Sequence, residues 1–176
     1  MHNRRRMWMA QGMIQKYNKN YLPKGADIIK LEVNCTLEEQ AITKAESCLA
    51  DSPPLDPGVS ENVATVKLLG TRNKTMAIHK GVTSWWKSIR TKKENIGMKV
   101  WYRMRHKVPH DPFIRMAWGS TSQIGCHVKR CPNNYVVVCR YSPSDLVLNE
   151  AIYTPGTPCS MCPAEYPNCE SSLCVA

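Results

Sequence analysis

Two stretches dominate the apolar pattern of the chain. In Gln123–Cys131, Ile124, Cys126, Val128 and Arg130 alternate with smaller or polar residues, and Tyr135–Tyr141 (YVVVCRY) is a continuous β-branched run. The first suits a half-buried strand, and the second a strand covered on both faces, as at the centre of a layered fold. Pro132, Asn133 and Asn134 lie between them and predict a tight turn, so the pair reads as a hairpin.

The preceding chain reads as helices packed on that sheet. His2–Gln11 has no Gly or Pro and predicts a helix closed near Gly12; Tyr17–Lys24 reads as a loop, and Asp27–Val33 leads to a second helix. Thr36-x-x-Glu39 predicts a capping box at its start. Leu37, Ala41, Ala45, Cys48 and Leu49 then share one helical face, which makes Cys48 a buried staple. Pro53, Pro54, Pro57 and Gly58 predict a loop, followed by a short strand at Asn62–Val66. Lys74–Arg90 is the clearest helix, with Ile78, Val82, Trp85 and Ile89 on one stripe and Trp86 flanking it as a core residue.

Lys92–Pro112 is polar, basic and irregular around the apolar island Val100-Trp101-Tyr102, and predicts a surface loop. Asp111 or Pro112 starts a short helix running into Met116 and Trp118. Past Ser142-Pro143, Leu146–Thr154 is expected to extend away, and Pro155–Ala176 is a Pro- and Cys-rich tail without periodicity. We therefore divide the chain into a body, 1–150, and a disulfide-rich extension, 151–176.

Composition narrows the class. The 176 residues include nine cysteines, Cys35, Cys48, Cys126, Cys131, Cys139, Cys159, Cys162, Cys169 and Cys174. The 43% hydrophobic content is enough for an ordinary core, so disulfides supplement it rather than replace it. Cys159-x-x-Cys162 with Cys169 and Cys174 can be written as a zinc knuckle. Disulfides are the preferred reading, because the other five cysteines sit on helix and strand positions. The sequons at Asn34 and Asn73 make both glycosylation candidates and fit a secreted protein. No run is long enough to span a membrane, and no signal peptide is evident, so the chain is taken as a mature or trimmed form.

A net charge of +10, from 24 Lys and Arg against 14 acidic residues, favours anionic partners such as sulfated glycans, acidic surface proteins or lipid head groups. The basic clusters are Arg4-Arg5-Arg6, Lys92-Lys93, Arg103/Arg105/Lys107 and Lys129-Arg130. Nucleic acid is excluded as a partner, since no binding motif accompanies the charge.

MAWGSTSQIGC followed by YVVVCRYSP closely resembles the signature of the CAP superfamily, the cysteine-rich secretory, antigen 5 and pathogenesis-related proteins. His2-Asn3-x-x-Arg6 resembles its first-helix motif and Ser60-Glu61-Asn62-Val63 its Gly-Glu-Asn-Ile/Val motif; Trp85-Trp86 and the PCSMCP tail resemble the nematode Ancylostoma-secreted type. The resemblance implies an α+β fold: a three-layer α-β-α sandwich with a central antiparallel sheet of three or four strands. It also implies a further cysteine upstream of the first helix, whose absence here would leave one of the nine without its partner.

CAP proteins typically hold two His and two Glu in a central cleft that can bind zinc. By motif, His2 and Glu61 match one histidine and one glutamate, while Ser88 and Pro112 replace the other two. One His and one Glu make a poor zinc site, so the resemblance implies neither metal nor cofactor nor catalysis there. The remaining pair is expected to contact each other and tie the first helix to the strand.

The functional expectation is a secreted, non-enzymatic parasite protein antagonising host cell-surface receptors, with platelet integrins as the class. The alternative is extracellular carriage of a sterol or fatty acid. No Arg-Gly-Asp or Lys-Gly-Asp tripeptide occurs; Lys24-Gly25-Ala26-Asp27 and Leu55-Asp56-Pro57 are only near matches, read as plain loops. The receptor-binding candidates are instead Trp101, Tyr102, Arg103 and Arg105, residue types enriched at interface hot spots.

Overall fold

The computed structural model describes residues 1–49, 54–144 and 146–176. In chain order it contains α1 (His2–Ala10), β1 (Glu32–Val33), α2 (Cys35–Glu46), β2 (Ser60–Lys67) and α3 (Lys74–Thr91). A 3-10 turn (Met104–His106) leads into α4 (Lys107–Ala117), then β3 (Gln123–Arg130), β4 (Asn134–Ser142), β5 (Asn168–Glu170) and β6 (Leu173–Val175). Pro53, placed in a loop by sequence, lies outside the described residues.

β4 is the axis. The four-stranded sheet has the order β1-β3-β4-β2, with β4 antiparallel to both neighbours and every residue from Tyr135 to Tyr141 buried. The sheet is antiparallel except for its β1 edge, which pairs parallel with β3 over two residues. Successive side chains of a strand face opposite ways, and β4 thereby builds two cores. Val136 and Val138 pack with Ala41 and Ala45 of α2. Tyr135, Val137, Cys139 and Tyr141 join the larger core with Met9 of α1, Trp85 and Trp86 of α3, and Phe113 of α4. The continuous run is thus a strand between helical layers, and the three-layer sandwich follows.

Close packing of α2 depends on one glycine. A Cβ added at Gly125 of β3 would sit 2.2 Å from the Glu38 backbone nitrogen and 2.3 Å from the Leu37 carbonyl carbon. The helix backbone therefore rests directly on β3.

Helix starts and ends depart from the pattern in instructive ways. Asn34, not Thr36, caps α2, its Oδ1 accepting from the Leu37 N–H at 3.0 Å. The helix stops at Glu46, so Cys48 is half-buried and Leu49 is exposed rather than on an inward stripe. α4 begins at Lys107, several residues before the expected start, with Pro109 in its first turn, where an N–H has no helical partner to lose. The segment after β4 does not extend away. Ile152 N–H donates to the Val100 carbonyl, Tyr102 N–H to Glu150 and Gly119 N–H to Ile152, and Ile152 and Tyr153 are buried.

Eight of the nine cysteines pair. Cys126–Cys139 joins directly facing positions of β3 and β4, and Cys48–Cys131 ties the end of α2 to the end of β3. Cys159–Cys169 and Cys162–Cys174 close the tail on itself around β5 and β6. Cys159, Cys162 and Cys174 lie close enough together to suggest a metal cluster, but their sulfurs are consumed by these two bridges. Cys35 is free and exposed, which corrects its place among the bridged cysteines. The tail is sewn to the body where Cys174 N–H donates to the Ile28 carbonyl and Lys30 N–H donates to Cys174.

One buried side chain joins these parts. Arg6 of α1 is fully buried, and all five of its N–H groups meet backbone carbonyls. Nε donates to Ile29 (2.8 Å), Nη1 to Met116 (3.1 Å) and Trp118 (2.8 Å), and Nη2 to Gly119 (3.0 Å) and Thr121 (3.1 Å). Burial lowers its pKa to about 9, so it stays charged at neutral pH. Arg6→Leu removes all five donors; the Gly119 and Trp118 carbonyls keep backbone N–H partners in Ile29 and Thr121, but the other three lose the donor shown here, and the change is expected to cost at least ~3 kcal/mol in urea unfolding. Arg6→Lys, lacking the five-donor fork, should also lose stability; wild-type stability of either variant would contradict the assignment.

Candidate functional site

The two motif candidates, His2 and Glu61, do not come together. His2 Nε2 is 3.1 Å from the Tyr141 hydroxyl, on the face of β4 that carries the larger core. Glu61 pairs with Arg140 of β4, Oε2 accepting from Nε at 2.8 Å, and Arg140 also donates to Gln40 of α2 at 3.0 Å. Residues 140 and 141 are neighbours on a strand, so their side chains leave opposite faces. The expected His2–Glu61 tie is replaced by two separate contacts on two sides of the sheet.

They also line different cavities. Glu61 borders a cleft of about 310 Å³ with Asp111, Arg115, Lys107 and Tyr102, whereas His2 lies beside Leu31, Val33 and Ile124. In the Glu61 cleft, Asp111 accepts from the Tyr102 hydroxyl at 2.7 Å and pairs with Arg115 at 3.4 Å. Arg115 donates to Asn62, whose Nδ2 reaches the Pro112 carbonyl (2.9 Å) and the Tyr141 hydroxyl (3.3 Å). Pro112 contributes only that carbonyl, and the buried Ser88 hydroxyl has no partner in the structure. Sequence reading missed Asn62, Asp111, Arg115 and Arg140. The i,i+4 spacing of Asp111 and Arg115 was the available signal for two of them.

The donor set does not fit a metal. Burial, reinforced by neighbouring positive charge, pushes the His2 pKa down to about 3, leaving a neutral ring engaged with Tyr141. The Glu61 carboxylate is paired with a guanidinium. Among the described residues, only the disulfide-bonded tail cysteines group closely enough to suggest ligands.

The motif residues act structurally instead. Asn3 exchanges two hydrogen bonds with the Leu31 backbone, 2.9 Å each, beside the His2–Tyr141 contact and the Arg6 cluster. Arg5 and Arg6 are buried, so the Arg4–Arg6 run is not a surface patch; Arg4 alone is exposed and lies 5.1 Å over the Trp8 ring.

The receptor candidates divide. Tyr102 is buried and held by Asp111, so it faces inward. Trp101 is 38% exposed, with the Arg103 guanidinium 4.5 Å above its ring. Arg103 also donates to Asn149 at 2.7 Å, and Arg105 is exposed. Val100, just before Trp101, sits at φ +52°, a region that a β-branched residue rarely adopts. Its backbone is held by the Ile152 N–H, and Trp101 bridges to Ala151. The surface around Trp101 is thus fastened rather than slack.

Of the near-match tripeptides, Lys24–Asp27 is built in, with Gly25 and Ala26 buried and Asp27 accepting from the Thr154 N–H. Asp56 accepts from Gln40. Asn73 caps α3 just as Asn34 caps α2, accepting from the Met76 N–H at 2.8 Å. A glycan on either Nδ2 leaves the capping oxygen in place.

The architecture is that of a disulfide-stapled α-β-α sandwich in which the motif histidine and glutamate are structural. Residues 1–141 match the profile of CAP, the Cysteine-rich secretory protein family, and the chain belongs to that family. It is 28% identical to Ancylostoma secreted protein of Ancylostoma caninum, over the whole chain but only 42% of that protein. It is 30% identical to Hookworm platelet inhibitor 1 of the same organism, covering 88% of this chain and 69% of the relative. The crystal structure of NaASP2 with Zn2+ superposes with a TM-score of 0.88 at 25% identity, covering 98% of this chain and 90% of that one. The crystal structure of Hookworm Platelet Inhibitor matches at a TM-score of 0.65 and 28% identity, covering 90% and 74%.

The buried histidines predict a pH response. His106 Nδ1 accepts from the Arg103 N–H (3.1 Å), leaving its Nε2–H for the Asn95 carbonyl (3.3 Å). Burial lowers the His106 pKa to about 4, and that of His110, bonded to the Glu94 carbonyl, moves the same way. Unfolding frees these rings to titrate near 6.5, so below that pH the unfolded state binds more protons. Stability is held above about 6.5 and lost as pH falls toward 4. We expect the melting temperature to drop by ~5 °C or more across that window, and the His106→Asn variant to show a shallower slope. A melting temperature flat from pH 7 to 4 would contradict this.

Proposed function

We propose that this protein is an extracellular, non-catalytic binding protein that antagonises a host cell-surface receptor, with an integrin on platelets as the target. The observation that carries the reading is the fastened, exposed surface at Trp101, Arg103 and Arg105. It combines a half-exposed tryptophan, a guanidinium stacked on it and a second free-standing cation. Met104 in the 3-10 turn and Val108 at the start of α4 add apolar area, at 66% and 89% exposure. Similarity to a protein named for platelet inhibition points to the cell type.

Acting without catalysis fits a cleft whose carboxylates are paired with Arg140 and Arg115. The zinc of the NaASP2 structure is a property of that protein; in this chain His2 and Glu61 are engaged with Tyr141 and Arg140. No helix among the described residues is long and apolar enough to cross a membrane, which agrees with action from outside the cell.

Agonist-induced aggregation of washed platelets, measured beside binding to purified integrins, tests this reading. Inhibition is expected from the wild type, and Trp101→Ala or Arg103→Ala should weaken it at least ~10-fold with an unchanged melting temperature. Neither inhibition nor integrin binding by the wild type would overturn the proposal.

A further inference from the structure

A second cavity, away from the Glu61 cleft, lies between α1, the loop after it and α3, and holds about 290 Å³. Its aromatic walls include Trp8, Tyr21 and Trp86, and its charged groups are Arg5, Lys87 and Arg90; no carboxylate lines it. Arg5 is only 7% exposed. Its Nη2 donates to the Thr83 hydroxyl at 2.8 Å, while Nη1 is buried with no partner in the structure. None of the ion pairs among the described residues gives Arg5 a carboxylate. A largely buried guanidinium with no carboxylate partner leaves its positive charge unneutralised at the cavity wall. Lys87 and Arg90 are exposed at the same cavity and add to the positive field.

We propose that this cavity is a receiving pocket for an anionic side chain on an aromatic stem, presented by an acidic extracellular peptide, with tyrosine sulfate as the matching group. The volume is at the low end for ligand sites and suits one side chain rather than a whole ligand. Trp8, Tyr21 and Trp86 give the ring an aromatic lining to pack against, and the cations offer charge-assisted hydrogen bonds to the sulfate. An aliphatic carboxylate answers the charge but makes less use of the aromatic walls. The inference rests on the reading of this protein as a binder of an extracellular protein, and it names a contact separate from the Trp101 surface.

The test is a titration of the intact protein with one acidic peptide in two forms, carrying tyrosine sulfate or plain tyrosine. Tryptophan fluorescence gives the readout, with Trp8 and Trp86 of the five tryptophans at the cavity. The sulfated form is expected to saturate and to bind at least ~10-fold more tightly than the plain form. Lys87→Glu and Arg90→Glu, both at exposed positions of α3, should each weaken the sulfated peptide at least ~10-fold at unchanged melting temperature. Equal affinity for both peptides, no saturation, or wild-type affinity in both variants would overturn the assignment. So would palmitate saturating the same signal independently of the two charge reversals, which would make the cavity an acyl-chain groove. Trp101→Ala should retain peptide binding. Sulfopeptide binding without platelet inhibition would therefore sink the receptor reading alone, and inhibition without sulfopeptide selectivity would sink only the pocket.

Discussion

A single buried guanidinium ties the first helix to the sheet edge and to the turn between α4 and β3. Arg6 donates to carbonyls of the segment before β1, the end of α4 and the turn after it, so α1, the first edge of the sheet and the approach to β3 share one buried hub. Without it the Ile29, Met116 and Thr121 carbonyls would lose their side-chain donor, a loss of a few kcal/mol in a fold whose net stability is about 5–15 kcal/mol. Asn3 extends the same device by pairing with Leu31 in the manner of a strand neighbour. The sequence motif that could be taken for chemistry is the fastening of the first helix.

The second constraint is the parity of β4. Because alternate side chains enter different layers, Tyr141 can serve His2 only on one side and Arg140 can serve Glu61 only on the other. Moving a residue type between such positions changes which layer it enters, not merely where it lies. That is why a histidine and a glutamate with matching motifs do not make a metal site here. It is also why the chemistry left in the Glu61 cleft is a set of paired charges.

Much of the fold was legible because it depends on periodicity. The buried run at Tyr135–Tyr141 and the stripe of α3 appear at their expected positions, and Trp86 packs against Phe113 with ring centroids 4.8 Å apart. The misreadings arose where local signals competed. Thr36 and Asn34 are both good caps, and Asn34 wins because its amide also reaches Gln123. Pro112 looked like a helix start, but a helix already begun at Lys107 runs through it. The site was less legible still. Tyr102 has the composition of a hot-spot residue, yet its hydroxyl is drawn inward by Asp111, and the pairing of Glu61 with Arg140 depends on strand register, which no short motif encodes.

What remains at the surface is a strongly basic body with two proposed recognition features, one fastened around Trp101 and one set between α1 and α3. The disulfides, the hub and the structural contacts of His2 and Glu61 hold those surfaces in fixed geometry. The most direct measurement is platelet binding by Glu61→Gln, which keeps an acceptor for Arg140 while removing the charge. The account predicts wild-type binding and a folded protein. Loss of binding in a variant that still melts like the wild type would return function to the cleft and contradict the account.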